Sequence, residues 1–345
     1  MYLSANEKLT VISELGTMLS SGIPIAESLA SLQEGAKGNV KKLLDMLAED
    51  VNEGKTISSS LEKIPGVFDP VTISLLKAGE ESGNLEVTLK DIKNNIAQDI
   101  EFNNRISSAL TYPATIMVVF TAVIVLILTF VIPRISGVFS KLRINLPLPT
   151  RILVAVSEFF IQYYPYIIFA LIGLTILVIV LFRFQKRKIL NALFSLPIIS
   201  KIAIDIDLAR FTHNLSLLLK SGVPIIEALE LTKKIVNKSV IYQMITYSIQ
   251  EITKGGSLSK SIVKFSKVIP ATMIKIIQAG EKSGKLEISL KELSEYFNLK
   301  VASNLKTATT LIEPIMLVII GIMVGGMMLA IISPIYGLIG QIGGR

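Results

Sequence analysis

The chain has 345 residues, 51% of them hydrophobic and only 18% charged, with a mean hydropathy of +0.60; this composition excludes a disordered chain and predicts a membrane protein. It contains no cysteine, which excludes a disulfide framework, a thiolate metal site and a cysteine nucleophile. The net charge of +8 is split, with −6 on residues 1–112 and +11 on residues 183–311. Opposite signs predict that the two segments meet each other or meet different partners, the alternative being drift on solvated faces.

The N-terminus carries Glu7 and Glu14 and lacks a basic start followed by an apolar block, so no cleaved signal peptide is expected. From Asn6 to Leu19 apolar residues recur at helical spacing (Leu9, Ile12, Leu15, Leu19). Gly22 falls just past the end of that helix and Pro24 just inside the next start. Helices are predicted at roughly 24–34 and 39–53, followed by a short one capped by Thr56 and reaching Leu61. Pro65-Gly66 turns the chain, a helix from Pro70 reaches Gly79, and a turn at Ser82-Gly83 opens a long helix from Leu85 toward Tyr112. That makes about six helices and no strand.

The series then recurs. Ala78-Gly79-Glu80-Glu81-Ser82-Gly83-Asn84-Leu85 returns as Ala279-Gly280-Glu281-Lys282-Ser283-Gly284-Lys285-Leu286, a shift of 201 that also aligns Pro113 with Pro314. Ser21-Gly22-Ile23-Pro24 answers Ser221-Gly222-Val223-Pro224 at a shift of 200, so one residue was gained or lost between them. An internal repeat of this length sets the architecture. Both copies run into uncharged stretches, 113–132 and 314–341, and residues 166–182 form a third apolar run, bounded by Tyr163-Tyr164-Pro165 and Arg183. At 1.5 Å per residue about 20 residues match a hydrocarbon core of roughly 30 Å.

The expected fold is an all-α membrane protein with two repeated cytoplasmic helical bundles of about six helices each and three transmembrane helices. The expected layout is bundle 1 at 1–112, spans at 113–132, 166–182 and 312–338, an extracytoplasmic connector at 133–165, bundle 2 at 183–311, and a short extracytoplasmic tail at 339–345. Nine Lys and Arg lie near the spans on the bundle side against five on the other, which predicts that the bundles are cytoplasmic.

Signals for chemistry are sparse. Gly54-Lys55-Thr56 resembles the tail of a phosphate-binding loop, but Glu49 stands where that motif needs glycine. His213 is the only histidine, so a packed or surface role outweighs metal ligation. Of the adjacent Glu80 and Glu81 only the first recurs, as Glu281, which favours a structural or interaction role over an acid–base pair. Gly79 and Gly280 would let two helices approach closely, Gly83 and Gly284 would take the left-handed turn, and Glu80 and Glu281 would bond backbone donors opened by that turn. The spans hold no Asp, Lys, Arg or His, Glu313 standing only at the edge of the third, whereas ion pathways need intramembrane charge. Gly321 and Gly325 instead predict a face for close helix packing. A small transporter with parallel repeats would need a polar or discontinuous site at mid-membrane, and none is visible.

The doubled motifs, together with Leu110-Thr111-Tyr112-Pro113, Leu146-Pro147-Leu148-Pro149-Thr150, Leu208-Ala209-Arg210-Phe211 and Glu313-Pro314, resemble the type II secretion F family. The resemblance covers the chain from about Leu9; family members usually carry a further N-terminal segment, and here only about eight residues precede the first bundle. It implies a non-enzymatic inner-membrane platform of a type II secretion, type IV pilus or competence machine. The implied partners are a hexameric assembly ATPase, pilin or pseudopilin transmembrane helices, other inner-membrane assembly proteins, membrane lipid and further copies of the chain. It implies neither cofactor nor nucleic acid. The interaction candidates are Gly22, Pro24, Gly79, Glu80, Gly83, Pro113, Gly222, Pro224, Gly280, Glu281, Gly284, Glu313, Pro314, Gly321 and Gly325.

Overall fold

A computed structural model describes residues 1–141, 148, 150–163, 166, 173 and 197–342, among which no strand occurs. Repeat 1 consists of α1 (Ala5–Ser20), α2 (Ile25–Gly35), α3 (Gly38–Asn52), α4 (Ile57–Glu62), α5 (Pro70–Glu81) and the start of α6 (Leu85–Leu126). A π-helical segment (Ile127–Val131), α7 (Ile132–Lys141) and α8 (residues 150–163) follow. Repeat 2 consists of α9 (Pro197–Lys220), α10 (Ile225–Lys233), α11 (Ser239–Thr253), α12 (Leu258–Val263), α13 (Ala271–Ser283) and the start of α14 (Leu286–Ile342). The shift passes from 200 at the start of α10 to 201 at the start of α11, so the extra residue falls in α10 or in the loop after it.

The chain divides into two compact units. The first, Met1–Ile106 with Phe194–Ser303, holds both repeats. Its apolar side chains form one continuous cluster in which equivalent positions recur: Leu15 with Leu215, Leu29 with Leu229, Leu76 with Ile277, Leu89 with Leu290. Each of these is at most 1% exposed, and burying such a side chain contributes about 1.5–3 kcal/mol. The helices are amphipathic, so the packing of these stripes, rather than intrinsic propensity, holds such short elements together.

The second unit, Ser107–Leu193 with Asn304–Arg345, takes the later parts of α6 and α14. Both helices contain stretches long and apolar enough to cross a membrane, and their most apolar windows are almost wholly exposed. A core helix of a soluble protein would bury that surface; here it is exposed. The π-helical segment leaves one carbonyl without a backbone donor. Its i to i+5 pattern would direct the amide of residue 133 at the Leu128 carbonyl, but Pro133 has no N–H. The Ser157 hydroxyl donates to that carbonyl instead, at 2.5 Å, and both residues are buried. A carbonyl without a donor would be costly in hydrocarbon. The span expected at 166–182 lies outside the described residues except for 166 and 173.

Candidate functional site

The duplicated stretch builds the same device twice in the first unit. α5 ends where Gly83 adopts φ +70°, and its counterpart Gly284 adopts φ +67°. The left-handed conformation is open to glycine without the Cβ penalty other residues meet. It lets the Asn84 amide donate to the Gly79 carbonyl at 2.9 Å, and Lys285 to Gly280 at 3.0 Å, closing both helix ends. The chain then doubles back into the long helix so tightly that no side chain fits at position 79. A Cβ on Gly79 would lie 2.6 Å from the Thr88 Cβ, and one on Gly280 would lie 2.8 Å from the Ser289 Cβ.

The glutamates use donors other than those the sequence pointed to. The amides exposed by the turn bond their own helix, and Glu80 reaches across to the N-terminus of α4. Its Oε1 accepts from the Ile57 amide at 2.5 Å, and its Oε2 accepts from the Ser58 amide at 3.1 Å and from the Ser58 hydroxyl. Glu281 repeats the arrangement on the Leu258 and Ser259 amides at 2.5 and 3.1 Å. The free N–H groups and positive dipole end of a helix favour a carboxylate there. Thr56 and Ser257 cap the same two helices from their own side chains. Gly22 and Gly222 likewise close α1 and α9, and Pro24 and Pro224 stand at the N-caps of α2 and α10.

Between the repeats, α5 of repeat 1 packs on α9 and α10 of repeat 2. Polar pairs flank that contact. Lys220 Nζ lies 2.7 Å from Asp91 Oδ2, and His213 Nε2 lies 2.6 Å from Asn95 Oδ1. Burial holds the His213 pKa below its ordinary value, so the ring is kept neutral for that bond. A cavity of about 600 Å³ opens between α6, α9 and α14, lined by Asn95, Phe102, His213, Lys220, Glu287 and Lys291 among others. Two buried aspartates brace repeat 2. Asp205 pairs with Lys300 at 2.7 Å, and Asp207 accepts the amides of Asn237 and Lys238 at 2.8 and 2.5 Å. Burial raises the Asp207 pKa, and those two N–H bonds oppose the shift.

Lys55, singled out as part of a phosphate-loop fragment, is engaged by its own neighbours. Its ammonium bonds Asp50 at 2.8 Å and also Glu53, while Lys63 takes the other Asp50 oxygen at 2.9 Å. Hydrogen bonds from the two ammonium groups hold Asp50 well below the usual carboxylate range, and Lys55 is pushed up in return. Among the described residues, no group of three His, Cys, Asp or Glu side chains could hold a metal ion. Pro113 and Pro314 lie inside α6 and α14, Glu313 is exposed, and a Cβ on Gly321 or Gly325 would meet nothing within 4 Å. The contacts not foreseen are the long-range ones: Asp91 with Lys220, Asn95 with His213, and Asp207 with the start of α11. The Asp69 cap of α5, which accepts from Val71 and Thr72 at 2.9 and 3.0 Å, was signalled by aspartate directly before Pro70.

An all-helical repeat protein whose conserved-in-duplicate residues brace helix ends, and which exposes two long apolar helices, is a membrane-associated helical scaffold. The family described as "Type II secretion system (T2SS), protein F" matches residues 11–133 and again 211–334, in register with the structural repeat, and the chain belongs to that family. It is similar to the type IV pilus assembly protein PilC of Thermus thermophilus, at 29% identity over 95% of this chain and 82% of that protein. PilC of Pseudomonas aeruginosa is 29% identical over 94% of this chain and 88% of its own length. The type II secretion system protein F of the same organism is 29% identical over 97% and 84%.

Proposed function

We propose that this chain is the membrane platform of a type IV pilus, type II secretion or competence machine, coupling a hexameric assembly ATPase to the extraction of pilin or pseudopilin helices and their addition to a filament. The observation that carries the reading is the doubled family match, each copy running from a braced helical repeat into an apolar stretch. The role needs no catalysis by the platform itself. It needs rigid elements, and α6 and α14 supply them, unbroken over 42 and 57 residues. A carboxylate clamp fixes the turn from which each begins. We place the repeats in the cytoplasm as two bundles, with three spans at 113–132, 166–182 and 312–338 in the inner membrane. The partners are the ATPase, pilin transmembrane helices, other inner-membrane assembly proteins, lipid and further copies of the chain.

The test is reconstitution in nanodiscs. The chain alone should hydrolyse no ATP, and adding it to the cognate ATPase should change that enzyme's turnover. Hydrolysis by the pure chain that disappears in Lys55→Ala would refute the reading. Topology is checked separately: reporters fused near Glu101 and Asn237 should be cytoplasmic, and one near Asn145 extracytoplasmic. Finding 145 and 237 on the same side would sink the three-span arrangement.

A further inference from the structure

The contact between the repeats is one-sided. Repeat 1 offers α5, and repeat 2 receives it on α9 and α10. The counterparts, α13 of repeat 2 and α1 with α2 of repeat 1, are left over. Burial shows this residue by residue. Asn214 of α9 is 6% exposed, whereas its counterpart Glu14 of α1 is exposed, and Leu217 is half-buried where Thr17 is exposed. On the donor side Val71 of α5 is 0% exposed, whereas Thr272 of α13 is exposed.

Charge follows the same division. From 254 to 285 the chain carries seven lysines, all exposed, and one carboxylate, Glu281, which is already bonded to α12. Ser74 of α5 is replaced by the exposed Lys275, and Glu81 by the exposed Lys282. The vacant receiving face is acidic, with Glu7 and Glu14 exposed on α1 where their counterparts Asp207 and Asn214 are buried. Neither of these acids, nor Lys275 or Lys282, forms an ion pair among the described residues.

We propose that a second copy of this chain docks head to tail, its α13 seated on α1 and α2 of the first copy, as α5 is seated on α9 and α10 within each chain. An interface built from two different faces leaves one of each free at the ends, so it propagates or closes into a ring. Lipid phosphate could also attract the lysines, but it does not explain the vacant acidic face of the other repeat. The contact is polar, so salt weakens it, and confinement of both copies to one bilayer favours it through effective concentration. The proposal extends the self-association named above and does not depend on ATPase coupling.

The absence of cysteine makes the experiment direct. Full-length Lys41→Cys chains, labelled with donor or acceptor dye, are reconstituted in vesicles of zwitterionic lipid and energy transfer is titrated against protein density. Adding Lys275→Glu with Lys282→Glu should weaken association about tenfold, and Glu14→Lys by a smaller factor. Mixing the two reversed variants should restore it, because each then meets the opposite charge. Helicity by circular dichroism confirms that these exposed substitutions leave the fold intact. The proposal is overturned by a chain that stays monomeric, by association indifferent to both reversals, or by a mixture that fails to recover. It is equally overturned if energy transfer appears only when anionic lipid is added, which would make the lysines a lipid site.

Discussion

Replacing Glu80 by alanine is expected to lower the midpoint of thermal unfolding by about 6–12 °C. The carboxylate accepts two backbone amides at the start of α4, those of Ile57 and Ser58. Both residues are buried, at 4% and 3% exposure, so water replaces the lost acceptor poorly. Hydrogen bonds to a charged group contribute about 1.5–3 kcal/mol each; Glu80 is only half-buried, so the lower value applies to both bonds and the loss is about 3 kcal/mol, and each kcal/mol moves the midpoint of a unit this size by about 2–4 °C. Glu281→Ala should behave in the same way, since its two distances are the same. Glu81→Ala is the control. That neighbour is exposed and its counterpart is Lys282, so the change should stay within about 0.5 kcal/mol. The chain has no tryptophan, so helicity at 222 nm of the full chain in detergent is the readout. Equal midpoints for the Glu80 and Glu81 variants would refute the clamp.

Adding a single methyl at Gly79 should cost about 1–3 kcal/mol, the range for an overpacked contact. The atom it strikes is the Thr88 Cβ, 2.6 Å away, which is fixed to the α6 backbone and has no rotamer to escape into. Helix propensity runs the other way, favouring alanine over glycine by about 1 kcal/mol, so the sign of the result decides between contact and propensity. Gly35→Ala, with nothing within 4 Å of its added Cβ, should be neutral or stabilising. Removing the obstruction should rescue the first variant. Gly79→Ala combined with Thr88→Gly should recover more stability than Thr88→Gly alone predicts, measured as a double-mutant cycle. Gly280→Ala meets both the Ser289 Cβ at 2.8 Å and the Leu286 Cα at 3.1 Å, so it should be at least as costly. A cycle with no coupling between positions 79 and 88 would remove the close approach of the two helices from the account.

The sequence by itself determined the repeat, the ends of most helices and the apolar stretches. These properties are local or periodic. A glycine past a helix end, a proline at the next start and a run of uncharged residues each declare their role within a few positions, and duplication printed the pattern twice. Glu80 marks where that legibility stopped. Its recurrence as Glu281 distinguished it from Glu81, but its targets lie 22 and 23 residues upstream, and the nearer donors of the turn proved to be occupied by their own helix. Lys55 is the opposite case: its phosphate-loop fragment was already broken at Glu49, and the fold supplies Asp50 and Glu53 as its partners. His213 and Asn95 are 118 residues apart, so no window along the chain relates them. Only the tertiary structure decided which face of each repeat is covered, because equivalent helices expose different surfaces according to what packs on them. α1 and α9 share a place in the repeat, yet Glu14 meets solvent where Asn214 is buried. Periodicity specifies one buried stripe per helix; a second comes from a neighbour whose arrival depends on the path of the whole chain.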